Sequence, residues 1–452
     1  MSDAEQAGRA GRPAGLVPGD EVEVEVGPVA HGGHCVARHE GQVLFVRHAL
    51  PGERVRARLT DLGPKARFVR ADAVDVLDAS PDRVTPPCPW SGPGACGGCD
   101  LQHVALPRQR SLKAEVVREQ LQRLAGLDVD VVVEPVPGDD AGLDWRTRVE
   151  FAVGPDGRAG LRRHRSHEVV AIDHCRIAAP GVDALRVTER RWEGVEAVDT
   201  VAPSVGEPLA IALPVGPEDA VPDVVERVEA SWGEGARAGR LTRDFTVSAR
   251  GFWQVHPGAG ATFVAAVMDV LAVRPGERAL DLYAGVGLFA AALGEAVGPT
   301  GQVVAVESDP GAIERAWAGM ADLPWVLPLR ARVDDAFGVA RSSRGPSRRR
   351  GGGSRGSSHR APARSPLLPT SADVVVLDPP RTGAGPAVVR EIAALTPRAI
   401  AYVACDPAAL ARDTAALHEA GYRLVGLRAF DAFPMTHHVE CVAHFAPERP
   451  RA

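Results

Sequence analysis

Residues 281–289 read Asp-Leu-Tyr-Ala-Gly-Val-Gly-Leu-Phe. An apolar run leads into Asp281. Gly285 and Gly287 then allow a tight turn and close backbone approach, and apolar helical text follows. Strand, glycine turn and helix in that order open a doubly wound α/β sheet. Glu307 closes the next strand, where an acid can accept hydrogen bonds from both hydroxyls of a ribose. Taken alone, the stretch fits a nicotinamide or flavin dinucleotide, S-adenosylmethionine, or a purely structural turn.

Working outward, residues 262–446 alternate between strand and helix patterns. Strands are expected near 279–283, 303–306, 326–330, 373–377, 399–404, 423–429 and 438–445, with helices between most of them. This is a Rossmann-like domain. The last two strands are joined by a short loop through Pro434, so they must pair antiparallel. Residues 341–368 interrupt the domain with arginine, glycine and serine, and are expected to be a disordered insert.

Upstream, residues 1–15 read as a disordered tail and 16–80 as a small OB-like β-barrel of short strands and glycine turns. Arg54, Arg56 and Arg58 share one face of a barrel strand by its two-residue period. That face is either a phosphate-tracking stripe or an ordinary solvated surface. Residues 81–261 form a central, mostly β domain. It opens with a Pro-, Gly- and Cys-rich loop and a helix over 103–125, with Leu112, Val116, Leu121 and Leu124 inward and basic residues outward.

The chain has 452 residues, a formal net charge of −6 and ordinary hydrophobic content. That length suits about three domains, and no apolar run approaches the ~18 residues of a membrane span. A cytoplasmic monomer with no membrane partner is expected. The negative net charge means that any nucleic-acid contact must use local basic surfaces.

Three groups carry chemistry on the catalytic side. Asp378-Pro-Pro-Arg381 takes the chain out of the sheet at a strand's carboxyl end, where open α/β sheets bind ligands. Its plainer reading is a turn with a helix cap. Cys405 sits at the end of the neighbouring strand, before Asp406-Pro407. A free cysteine is usually buried filler. At that edge, with a helix starting just after it, the thiol becomes a candidate nucleophile. Glu440, in the last strand, is a candidate base or an ordinary strand carboxylate. His437 and His438 are expected to point oppositely and take no role. A thiolate that adds to carbon 6 of a pyrimidine makes carbon 5 nucleophilic, and a base must later remove the carbon-5 proton. RNA methylation of this kind needs a nucleophile, a carboxylate and a methyl sulfonium together. Cytosine-5 methylation uses the same addition, and a non-catalytic RNA-binding or assembly factor would keep the fold without needing Cys405 or Glu440.

The seven cysteines include Cys88, Cys96 and Cys99 within twelve residues, with Cys175 later in the chain. Four thiolates suit zinc or an iron–sulfur cluster. Cys35 reads as barrel interior and Cys441 as a buried strand residue.

Together these residues resemble the RNA (uracil-5-)-methyltransferase family, in particular its iron–sulfur 23S rRNA branch with an N-terminal TRAM barrel. The likeness spans residues 16–446 apart from the insert. It is carried by Ala30-His-Gly-Gly33, Pro51-Gly-Glu53, the cysteine set and Phe252-Trp-Gln-Val255. Asp281–Phe289, Asp378–Arg381, Cys405-Asp-Pro407, Ala411-Arg-Asp413 and His438-Val-Glu440 complete it. The resemblance implies that Cys405 is the nucleophile and Glu440 the proton acceptor. It implies that Gln254, Tyr283, Glu307 and Asp378 contact S-adenosylmethionine, and that Cys88, Cys96, Cys99 and Cys175 hold a [4Fe-4S] cluster. It further implies an RNA substrate, 23S rRNA ahead of tRNA, and a helix 103–125 packed on the catalytic domain. The chain departs from the family pattern at Leu288, at His256 and in the first cysteine gap, which is longer than usual.

Overall fold

The computed structural model describes residues 15–63, 68–138, 141–216, 219–235, 238–339 and 363–448. Residues 1–14 of the tail and 340–362 of the Arg-rich insert lie outside the described residues.

The barrel comprises β1 (Glu21–Ala30), β2 (His34–His39), β3 (Gln42–Arg47), β4 (Arg54–Leu62) and β5 (Val69–Asp78), closed in the order β1-β2-β3-β5-β4. Strict alternation in β1 sends Val22, Val24 and Val26 inward, where they meet Val55, Ala57 and Leu59 of β4. Cys35 lies in this core. The arginines of β4 do share the outer face, but they are not a free cationic stripe. Arg54 pairs with Asp78 and Glu23, Arg56 with Asp75 and Arg58 with Glu21. Cross-strand carboxylates on β1 and β5 match the charge, which favours the ordinary solvated surface over a phosphate-tracking stripe in the RNA-free protein.

Helix α1 (Leu106–Ala125) follows, three residues shorter at its start than expected, with a proline inside its first turn and Gly126 at its end. It is wedged between two domains. Leu112 and Val116 belong to the barrel core, whereas Ala114, Val117 and Leu121 join the catalytic core. Burial on both flanks explains two departures from a one-faced amphipathic reading. Lys113 is buried, its ammonium 2.5 Å from Asp431, and Leu124 is exposed beyond the end of the contact. The next strand, β6 (Val133–Pro135), pairs parallel with the edge of the catalytic sheet.

In the middle lie β7 (Arg148–Val153), β8 (Ala159–Arg162), β9 (Val169–Ala171), the single turn α2 (Pro180–Asp183), β10 (Ala197–Val201) and β11 (Leu209–Leu213). The strands form a five-stranded sheet in the order β11-β10-β7-β8-β9. A ribbon of β12 (Asp223–Trp232) and β13 (Gly239–Ser248) lays Val228 and Phe245 on the catalytic core. Arg148 fastens the sheet to this ribbon through Glu226 at 3.0 Å and three backbone carbonyls near residue 250.

The catalytic domain runs α3 (Ala259–Leu271), β14 (Arg278–Leu282), α4 (Leu288–Val297), β15 (Gln302–Glu307), α5 (Pro310–Gly319), β16 (Val326–Arg330) and α6 (Val333–Phe337). It continues with β17 (Val374–Leu377), α7 (Pro386–Ala394), β18 (Ala399–Ala404), α8 (Pro407–Glu419), β19 (Tyr422–Asp431) and β20 (Glu440–Pro447). The sheet order is β16-β15-β14-β17-β18-β20-β19-β6. The chain winds one way from β14 and the other way from β17, which puts the topological switch point between them. The doubly wound reading holds, and β19 and β20 pair antiparallel. Residues 363–368 of the insert are seated rather than loose. The Ser365 amide donates to the Ala336 carbonyl, and apolar Leu368 is buried in the core.

Candidate active site

At the switch point the strand ends open on a cavity of about 730 Å³. Its walls come from β14, β15, β17, β18 and β20, together with the loop after β13. Tyr283 follows β14 in the left-handed region, φ 66°, a strained conformation for a non-glycine residue. Gly285 (φ 55°) and Gly287 (φ 89°) complete the turn. A Cβ on Gly287 would lie 2.8 Å from Met320, while one on Gly285 would meet open space beside the cavity it lines. Glu307 accepts the Gly285 amide at 3.0 Å with one oxygen and the Ser308 and Asp309 amides with the other. Gln254, Tyr283, Glu307 and Asp378 all line this one cavity. A carboxylate fixed by loop amides, an open glycine and an aromatic ring fit the ribose and base of a nucleoside; half-buried Asp378 fits a cationic substituent.

The reacting end lies between β18 and β20. Antiparallel register pairs Ile400 with Phe445 and runs to Ala404 with Cys441. One further step of the same register brings Cys405 opposite Glu440, and facing residues of an antiparallel pair have Cβ atoms about 5 Å apart. Both line the cavity with Asp378 and Arg381. Burial pushes the Cys405 thiol up to about 11, with the charges of Glu440 and Asp378 adding to the effect and Arg381 opposing it. Burial and Asp378 hold Glu440 well above the usual carboxylate range, again against Arg381. Burial alone raises Asp378 to about 7. Asp281, near the end of β14, is fully buried with no side-chain partner, and burial raises it to about 8 against the backbone amide of Ala290. Perturbed carboxyl groups gathered in one cleft mark a functional site more often than a structural one.

Sequence reasoning gave no role to three residues that the geometry brings in. Arg381 faces both Cys405 and Glu440. Phe252 stands on the cavity wall with 79% of its surface exposed. Asp413 accepts hydrogen bonds from the Tyr402 hydroxyl at 2.6 Å and the Ala384 amide at 2.7 Å, which ties down the loop after Asp378. Each stood within a motif already singled out, but only the fold gives it a neighbour. The two histidines differ from expectation. They lie before β20 in a loop, their rings 4.1 Å apart rather than on opposite faces, and His437 Nδ1 is 2.6 Å from Asp100.

Cys88, Cys96, Cys99 and Cys175 converge elsewhere, where the cysteine loop meets the segment before α2. All four are free thiols, close enough that the charges of Cys88 and Cys175 bear on both Cys96 and Cys99. Burial raises Cys96 to about 11 and Cys99 further still. Donors already point at the sulfurs: the Gly98 amide at Cys96, Gln102 Nε2 at Cys99, and the Ile177 and Ala178 amides at Cys175. Such donors offset part of the effect of burial and favour the thiolate form. Among the described residues, no three His, Cys, Asp or Glu side chains are arranged round a single metal ion.

Comparison with known proteins agrees with the fold. The TRAM domain family matches residues 16–74, and the tRNA (Uracil-5-)-methyltransferase family matches residues 368–446. A relative from Streptomyces avermitilis, described as an uncharacterized RNA methyltransferase, is 49% identical over 95% of this chain and 99% of its own length. The 23S rRNA (uracil(1939)-C(5))-methyltransferase RlmD of Alkalilimnicola ehrlichii is 32% identical over 97% of this chain and 99% of its own. Among solved structures, the tRNA (uracil-54, C5)-methyltransferase of Pyrococcus abyssi, in complex with S-adenosyl-L-homocysteine, superposes with a TM-score of 0.61. That match has 21% identity and covers 94% of this chain and all of the other. Fold and relatives define an RNA methyltransferase. The chain belongs to the RNA (uracil-5-)-methyltransferase family. Among the described residues no helix is long and apolar enough to cross a membrane.

Proposed function

We propose that this protein methylates carbon 5 of a uridine in 23S rRNA through a covalent adduct between Cys405 and carbon 6 of the base. The observation that carries the reading is the antiparallel register that sets Cys405 against Glu440 at the mouth of the cofactor-type cavity. Bound S-adenosylmethionine supplies an electrophilic methyl sulfonium. The thiol loses its proton to solvent, which leaves Glu440 unoccupied, and the sulfur bonds to carbon 6. The ring's electrons move to carbon 5, which takes the methyl group as the donor leaves as a neutral thioether. Glu440, whose high proton affinity suits a base, removes the carbon-5 proton. The carbon–sulfur bond then breaks and the 5,6 double bond returns. Arg381 offsets the negative charge that gathers beside Cys405 and Glu440 in these steps. Glu307 holds the cofactor's ribose, Gln254 and Tyr283 contact its adenosine half, and Asp378 lies toward its charged end.

The exposed ring of Phe252 suits stacking on a base next to one drawn out of the RNA. Cys88, Cys96, Cys99 and Cys175 are assigned to a structural [4Fe-4S] cluster. The 23S assignment follows the RlmD relatives. It is tested by nucleoside mass spectrometry of separated 23S rRNA and tRNA from cells lacking the gene. Loss of 5-methyluridine from 23S rRNA is expected; loss from tRNA alone redirects the substrate, and no loss from either overturns the reading.

A further inference from the structure

A second, smaller cavity of about 130 Å³ shares Cys405 and Arg381 with the first. One wall is the barrel, through the β1–β2 turn at His31, Gly32 and Gly33; the other is Cys405, Asp406 and Pro407. The barrel is docked closely here. A Cβ on Gly33 would come within 2.5 Å of the His437 side chain. His31 Nε2 lies 3.0 Å from Asp406 Oδ2, a contact between residues 375 positions apart.

Asp406 has two partners. Its other carboxylate oxygen caps α8, accepting the Ala409 amide at 2.7 Å, and Cys405 is the residue immediately before this cap. The first turn of a helix presents partial positive charge, which favours a thiolate nearby. A carboxylate at the cap position opposes that effect, because a full negative charge then sits one residue from the sulfur. A protonated imidazole on the carboxylate cancels the opposition.

We propose that His31 is a positioning residue for the nucleophile: an imidazolium carried by the barrel that neutralises Asp406, so that the α8 amides act on Cys405 undiminished. The inference rests on the reading of Cys405 as nucleophile. The proton balance agrees with it. The Asp406 hydrogen bond raises His31 above its ordinary value, with Glu119 of α1 adding and Arg412 of α8 opposing. Asp406 is correspondingly held low by His31 and the Ala409 amide, with Arg412 assisting. Facing the thiol itself are Glu440 and Asp378, which disfavour the thiolate, and Arg381, which favours it. Against two carboxyl groups and one guanidinium, cancelling a third carboxylate matters. The consequence is that reactivity depends on the barrel being docked.

The test separates charge from contact. His31→Gln keeps a donor in reach of Asp406 and removes only the charge. Iodoacetamide alkylation of the full-length protein, followed peptide by peptide across a pH series, reports the Cys405 thiol whether or not it is the nucleophile. His31→Gln is expected to shift the Cys405 profile upward by half a unit to one unit, an alkylation rate about three- to tenfold slower at neutral pH. Methyl transfer should fall in parallel. Adding Asp406→Asn, which retains a capping oxygen, should return the profile to that of the wild type. A His31→Gln profile that superimposes on the wild type overturns the proposal. So does a double variant that remains shifted, since the loss then comes from docking rather than charge. Cys405→Ala, assayed for methyl transfer, judges the nucleophile separately. If that variant turns over, the parent reading fails whatever the alkylation shows.

Discussion

On the outer face of the barrel, Arg54, Arg56, Arg58 and Arg70 each reach a carboxylate on a neighbouring strand, in water. At the catalytic edge, half-buried Asp378 and buried Glu440 lie together beside Arg381, and Asp281 is buried with only the Ala290 backbone opposing the effect of burial. The barrel's acids and bases are matched and solvated, so they cost little and do little. Those of the edge are crowded at strand ends at a cost in stability, which a fold tolerates where a ligand or a reaction uses them. The two regions contain the same residue types. Their difference lies in burial and pairing, and every prediction below is a way to break or sharpen it.

The largest effect is expected at Cys405 and Glu440, the proposed nucleophile and base. Cys405→Ala should reduce methyl transfer to background and abolish the RNA-linked adduct. Glu440→Gln should slow product release by about 10²–10⁴-fold, while the adduct accumulates on denaturing gels. Adduct missing from both variants would place Glu440 before the addition step instead of after it. Next comes the cysteine set. Cys99→Ser should lower iron and sulfide in anaerobically purified protein from about four of each per chain toward none, and should lower the melting temperature with them. An unchanged iron content removes the cluster assignment without touching the active site.

The buried carboxyl groups set a pH dependence with a definite sign. Asp281, near 8, lies well above the ordinary aspartate value in the folded protein. The folded state therefore holds a proton that the unfolded state gives up near pH 4. Its contribution is fully present below that pH and is lost as pH rises through about 8. Cofactor-free protein should lose stability from this source between about pH 4 and 8, and Asp281→Asn should remove that part of the slope. Urea titrations at pH 5 and pH 8 measure it. An equal slope in wild type and variant would mean that Asp281 has a side-chain partner after all.

The doubly wound sheet was legible because its signals are local. Strand ends, glycine turns and the Asp-Pro-Pro turn are written in consecutive residues, and Gln254, Tyr283, Glu307 and Asp378, taken from the resemblance, line one cavity. What the sequence could not show were pairings across distance. The register that opposes Cys405 to Glu440 needed the β18–β20 ladder. The wedging of α1, with buried Lys113 on Asp431, needed two domains already in place. Arg54, Arg56 and Arg58 were correctly assigned to one face, yet their carboxylate partners lie on β1 and β5, reached only when the barrel closes. His31 and Asp406 are an extreme case: neither residue carries any local hint of the other.

The smallest expected effect is the sharpest check on the barrel side of the comparison. Replacing Arg56 and Asp75 together by alanine leaves the net charge unchanged and deletes one matched pair. An exposed ion pair contributes about 0.2–1 kcal/mol, so stability should hardly move. RNA binding measured over a range of salt concentrations is more telling. An arginine that neutralises a phosphate releases counterions, and its loss reduces the slope of log affinity against log salt by about one. Arg56 already has a carboxylate at 2.7 Å, so the slope for 23S rRNA fragments should stay the same. A drop of one would show that RNA displaces Asp75 from Arg56. The barrel's matched charges would then be a latent phosphate site, and the distinction drawn between the two regions would hold only in the absence of RNA.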